Sequence, residues 1–141
     1  MDYSIMRLTL MKRTDIALRA LLLLESTPGL RQASELAEGT ESTTQFIPQV
    51  INPMVRAGWI ASEPGPRGGY RLTTDLTQRT LLELIELIEG PVDDGRCVLE
   101  STTCTEADPC ALHHAWTWAR AGLVERLGRT VISGQTAEVS R

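Results

Sequence analysis

Three cysteines, Cys97, Cys104 and Cys110, stand in the spacing C-x6-C-x5-C. They lie in or at the edge of one stretch, residues 91–109, that is polar and acidic, with no periodicity that buries a thiol. Free cysteines are normally among the most buried side chains, so three in a segment without its own core need another explanation. Ligation of a soft metal centre by thiolates supplies one. The residues alone leave three readings open: an iron–sulfur cluster, a zinc ion, or thiols that hold no metal. The C-x2-C pairs of zinc ribbons are absent, which weighs against zinc without removing it. Cys110 is expected to open a long helix, where the dipole and free backbone N–H groups stabilise a thiolate. His113, three residues on, shares that face and is a candidate further ligand, whereas His114 points elsewhere.

Periodicity outlines the elements that must position these residues. Ile16, Ala17, Ala20, Leu21, Leu23 and Leu24 predict a helix over residues 14–25, capped by Asp15 or Thr14. A short helix follows over residues 31–38, with Gly39 in the place of a left-handed C-terminal residue. Ser42 and Gln45 form a capping-box pattern that opens a third helix, anchored by Phe46, Ile47, Val50, Ile51, Met54 and Val55. Pro48 and Pro53 lie inside it and are expected to bend or interrupt it. Residues 59–63 and 69–73 read as short strands joined by the turn Pro64-Gly65-Pro66-Arg67-Gly68. A second capping box, Thr80 with Glu83, opens a helix closed by Gly90. Residues 110–127 read as the longest helix, with a seam of Leu112, Ala115, Trp116, Ala119, Leu123 and Leu127.

A chain of 141 residues has room for one domain, or for one compact domain plus an oligomerisation element. With only 4% aromatics its core must be built from Leu, Ile, Val and Ala, which suits packed helices. No apolar stretch is long enough to span a bilayer, and the N-terminus lacks a signal-peptide plan. The expectation is therefore a cytoplasmic protein with no membrane partner, whose odd cysteine count argues against a disulfide scaffold. The net charge of −4 is unevenly spread: residues 1–72 hold 8 Lys/Arg against 7 Asp/Glu, and residues 73–141 hold 6 against 11. Such a split fits a module that touches phosphate, joined to one that does not.

Helix, short helix, turn, capped helix and Gly-rich hairpin is the order of a winged helix-turn-helix. The fold class expected is mainly α with a small β-hairpin wing, followed by a long helix. Residues 6–75 are expected to form its DNA-binding domain, 76–109 a linker helix and cysteine segment, and 110–141 the long helix and tail. Thr43, Thr44, Gln45 and Gln49 supply a polar face for base edges, with Arg56 at the far end of the same helix. Arg67 sits at the tip of the hairpin, where Gly68 and Gly69 allow close approach to phosphate.

Several strings together resemble the Rrf2 (Rrf-two) family of bacterial winged-helix transcription regulators. They are Thr14-Asp15-Ile16-Ala17-Leu18-Arg19-Ala20-Leu21, Val55-Arg56-Ala57-Gly58-Trp59, Gly68-Gly69-Tyr70-Arg71-Leu72, Leu81-Leu82-Glu83-Leu84-Ile85, Glu89-Gly90-Pro91 and the three-cysteine segment. Met6-Arg7-Leu8-Thr9 looks like the family's usual start, and the resemblance runs over residues 6–127. It implies a homodimer crossed by the long helix, which makes residues 110–141 the dimerisation helix and tail. It also implies an iron–sulfur cluster, two-iron or four-iron, held by Cys97, Cys104 and Cys110. For the fourth ligand it offers Asp15, supplied from the partner subunit as in NsrR-like members, or His113, as in IscR-like members. The Thr-Asp-x-Ala-Leu-Arg string favours Asp15 slightly. The chain departs from the family in the longer spacing from Cys97 to Cys104, in extra residues between Thr9 and Asp15, and in Pro64 and Pro48.

The function expected from these residues is a dimeric regulator, a repressor, that binds a partly palindromic double-stranded DNA operator. Its affinity follows the state of the cluster, in response to nitric oxide, redox stress or iron. A cluster-free or zinc-binding regulator that uses the cysteines as a thiol sensor or structural site is the alternative. No paired carboxylates, histidine base or substrate-sized glycine loop point to an enzyme.

Overall fold

Small and branched apolar residues recur every three to four positions in α1 (Lys12–Ser26), and Ile16, Ala17, Ala20, Leu21 and Leu24 are buried there. The computed structural model describes residues 9–92, 97, 99, 104–105 and 107–134, in two units that divide after Thr74. In the first unit α1 packs with α2 (Ala33–Gly39) and α3 (Ile47–Arg56). Leu36, Ala37, Ile47, Val50, Ile51, Met54, Trp59 and Ile60 complete its core. β1 (Ile60–Glu63) and β2 (Gly69–Leu72) form an antiparallel hairpin, in register from Ile60↔Leu72 to Glu63↔Gly69. A third edge comes from outside the hairpin, where Arg31 and Tyr70 exchange N–H···O bonds of 2.8 Å each way. The architecture is thus mainly helical with a hairpin wing.

The second unit opens with a 3-10 turn, Leu76–Gln78, capped by Asp75. The Asp75 carboxylate accepts from the Thr77 hydroxyl at 2.6 Å and its N–H at 2.9 Å. These two bonds hold its carboxyl below the ordinary aspartate value. α4 (Leu81–Glu89) starts as the sequence predicts: the Thr80 hydroxyl accepts from the Glu83 N–H at 3.1 Å, and Gly90 ends it at φ 95°. α5 (His113–Arg129) packs on α4. Beyond α5 the chain turns back on the start of α4. Leu81 donates to Thr130 and Ile132 to Arg79, both at 2.8 Å, and Ile132 is buried, as are Leu76, Leu84 and Ile85 among the described residues of this unit. No helix among the described residues is long and apolar enough to cross a membrane.

Four local expectations are corrected. The Ser42–Gln45 capping box does not form, because α3 begins at Ile47, with Thr43 Oγ1 accepting from the Phe46 N–H at 3.2 Å in the preceding turn. Proline explains the shift: Pro48 has no N–H, and the first helical turn is where none is needed. Pro53 does lie inside, and α3 runs through it to Arg56. Gly39 remains helical, and the left-handed residue is Glu41 at φ 55°. Neither Thr14 nor Asp15 caps α1, whose N-cap is Met11 with no side-chain capping bond. Finally, Cys110 does not open α5; it lies in the turn before it, and its carbonyl accepts from the His113 N–H at 3.1 Å. The family-like start at residues 6–8, most of the segment 93–103 and the tail beyond 134 lie outside the described residues.

Candidate DNA-binding surface and metal centre

The surface of the first unit is set by how α3 is anchored. Ile47, Val50, Ile51 and Met54 fix one side of the helix in the core. That leaves Thr43, Thr44 and Gln45 of the preceding turn, and Gln49 and Arg56 of α3, exposed. Asn52 is exposed on the same side, three residues beyond Gln49. Sequence reasoning missed it, although the i, i+3 spacing to Gln49 was there to be read.

The wing is locked to the helical core. Besides the Arg31–Tyr70 pair, the Gln32 side-chain amide donates to the Pro66 carbonyl at 3.1 Å. A Cβ on Gly69 (φ 151°) would stand 2.5 Å from the Arg31 carbonyl oxygen, and one on Gly68 would stand 1.9 Å from that of Glu63. Both glycines are therefore required by the protein's own backbone. Arg67 is exposed at the hairpin tip, while Arg71 faces Glu63 at 3.7 Å. A cleft of about 430 Å³ separates the wing from the turn before α3, with Gln32, Ser34, Thr44, Glu63 and Tyr70 among its lining residues.

In the second unit the three thiols converge. The sulfurs of Cys97, Cys104 and Cys110 all lie within 4.8 Å of one another, each half-buried. Cys97 Sγ is 3.6 Å from Cys110 Sγ, and Cys104 Sγ is 3.4 Å from His113 Nδ1. The start of α5 delivers His113 to the thiols, and His114 is exposed with its ring edge-on to His113 at 5.2 Å. A backbone hydrogen bond at Cys110 pulls the Cys104 thiol down. Partial desolvation and the neighbouring Cys97 and Cys110 sulfurs outweigh it, and the thiol ends above its ordinary value. Asp15, the other candidate ligand, belongs to the first unit, where Arg19 holds it at 2.8 Å.

Three thiolates with one imidazole beside them are a soft donor set that suits iron–sulfur clusters and zinc alike. Two sulfurs bound tetrahedrally to one metal at about 2.3 Å stand about 3.8 Å apart. Cys97 and Cys110 meet that spacing as they are. The residues fit a thiolate-held metal group.

A helix-turn-helix with a locked wing, joined to a helical unit that gathers cysteines, defines a DNA-binding regulator. The Rrf2 family, described as iron-dependent transcriptional regulators, matches residues 10–134. The chain belongs to the Rrf2 family, whose members are transcriptional regulators and not enzymes. It is 32% identical over 89 residues to a provisionally named HTH-type transcriptional regulator of Aquifex aeolicus, a match spanning 62% of each chain. It is 29% identical over 111 residues to the HTH-type transcriptional regulator IscR of Cronobacter sakazakii, covering 79% of this chain and 68% of that one. The fold is similar to that of CymR, the global cysteine regulator of B. subtilis, with a TM-score of 0.68, 20% identity and coverage of 91% and 94%.

Proposed function

We propose that this DNA-binding transcription regulator is a homodimeric repressor whose operator affinity is set by an iron–sulfur cluster on Cys97, Cys104 and Cys110. The observation that carries the reading is the convergence of all three sulfurs within 4.8 Å in a chain of this family. The reading head is the domain of residues 6–75, with Thr43, Thr44, Gln45 and Gln49 turned to the major groove and Arg56 and Arg67 to the phosphates. Gly68 and Gly69 hold the wing in shape. Residues 76–109 carry Cys97 and Cys104, and residues 110–141, which begin with the third ligand Cys110, join the two subunits.

When bound, the cluster supplies a centre that nitric oxide, oxidants or iron scarcity can dismantle. The chain's own residues convert that loss into a signal. The ligand segment runs directly into α5 through Cys110 and His113, so releasing the thiols frees the start of the helix that joins the subunits. Half-site spacing makes affinity sensitive to any rotation of the two heads that follows. His113 already stands beside Cys104, whereas Asp15 must exchange Arg19 for the metal.

A second reading, a single tetrahedral metal such as zinc in a Cys₃His site, is favoured by the 3.6 Å and 3.4 Å separations. Oxygen-free purification with iron and sulfide, followed by metal and sulfide analysis and operator titration with and without the group, separates the two. Iron with equimolar sulfide and a changed affinity supports the cluster. Zinc without sulfide supports the second reading, and equal affinities with and without metal remove the switch.

A further inference from the structure

From Ser42 to Val55 the chain carries no charged residue; Glu41 precedes this run and Arg56 follows it. It comprises the turn before α3 and nearly all of α3, the element a winged helix presents to the major groove. The side chains in it that can hydrogen-bond a base edge are the hydroxyls of Ser42, Thr43 and Thr44 and the carboxamides of Gln45, Gln49 and Asn52. All three amides are exposed, while Ile47, Val50, Ile51 and Met54 between them are buried. They form one polar ridge.

Base-edge chemistry makes this composition selective. Guanine is read in the major groove by Arg or Lys, and the cytosine amino group by Asp or Glu, none of which the ridge contains. Hydroxyls serve any base. A carboxamide offers one donor and one acceptor in the spacing of adenine N7 and N6. We infer that Gln49 and Asn52 read adenines, and that each operator half-site carries adenine at two neighbouring positions facing α3. Three helical residues rise about 4.5 Å, close to the step of about 3.4 Å between successive bases on a strand. The two amides therefore meet adjacent bases. This rests on the DNA-binding regulator reading above and deepens it by naming the base.

The test selects duplexes from a random pool with the full chain at fixed salt. It then places 7-deazaadenine, which lacks the N7 acceptor, at the preferred positions. Neighbouring adenines are enriched, and Asn52→Ala or 7-deazaadenine at its position each lowers affinity roughly 5- to 150-fold. The analogue costs Asn52→Ala nothing further, and non-specific binding and the circular dichroism spectrum stay unchanged. Asn52→Asp, exposed and isosteric, loses the preference for adenine while keeping the fold. Selection of guanine at the positions facing α3, or a loss in Asn52→Ala that is equal on every sequence, overturns the inference and leaves DNA binding standing. Enrichment of no sequence at all overturns the DNA reading and this inference with it.

Discussion

Arg67 is the cation whose setting makes its role most separable from folding, because it is exposed at the tip of a hairpin fixed by backbone bonds. Arg67→Ala should weaken operator and random DNA alike, and lower the slope of log affinity against log salt by about 1. Titrations at several salt concentrations check this; a loss confined to the operator would instead make Arg67 a base reader. Cys104 carries a different kind of prediction. Its raised thiol must lose a proton before it can bind metal, so loading releases protons and weakens as pH falls. Proton release during metal titration in weak buffer measures this, and Cys104→Ala should abolish most of the bound metal. The cysteines were legible in the sequence because their types and spacing have few uses in an acidic segment. The contact between Cys104 and His113 was half-legible: the spacing brought His113 forward as a ligand, but its approach to that particular sulfur depends on the turn before α5.

Among the elements, the wing shows what close approach demands. Gly69→Ala forces a Cβ against the Arg31 carbonyl in a left-handed conformation, and should cost roughly 1–3 kcal/mol, lowering the urea midpoint and DNA affinity together. Thr80→Ala removes the hydroxyl that caps α4 and should cost about 1 kcal/mol with no direct effect on DNA contacts. The sequence made the helices and the hairpin readable through apolar periodicity and the Gly-Pro turn. It misled at α3, where Ser42 and Gln45 match a capping box but Pro48 dictates a later start. It was silent on the Arg31–Tyr70 pair, since a single backbone bridge leaves no residue pattern. Asp15 looked like a cap because caps and first-turn acids share a residue type; with the helix begun at Lys12 it pairs with Arg19 instead.

At the scale of the molecule, α5 has no fully buried residue, and Trp118 is 82% and Leu123 46% exposed. A helix whose large apolar side chains are left this open is the surface expected to meet a second copy. Leu123→Glu should therefore yield monomers in sedimentation and lose the gain in affinity that two linked half-sites provide; an unchanged dimer would place the interface elsewhere. The backbone bonds from Leu81 to Thr130 and from Ile132 to Arg79 bear on the same helix. They tie the start of α4 to the residues that follow α5. On the proposed reading, the 17 residues of α5, about 25 Å long, are tied at their far end by these bonds and at their near end by the metal group. Loss of the group would then loosen the near end while the far end stays tied, so that a change at a few thiols is felt along the helix that meets the second copy.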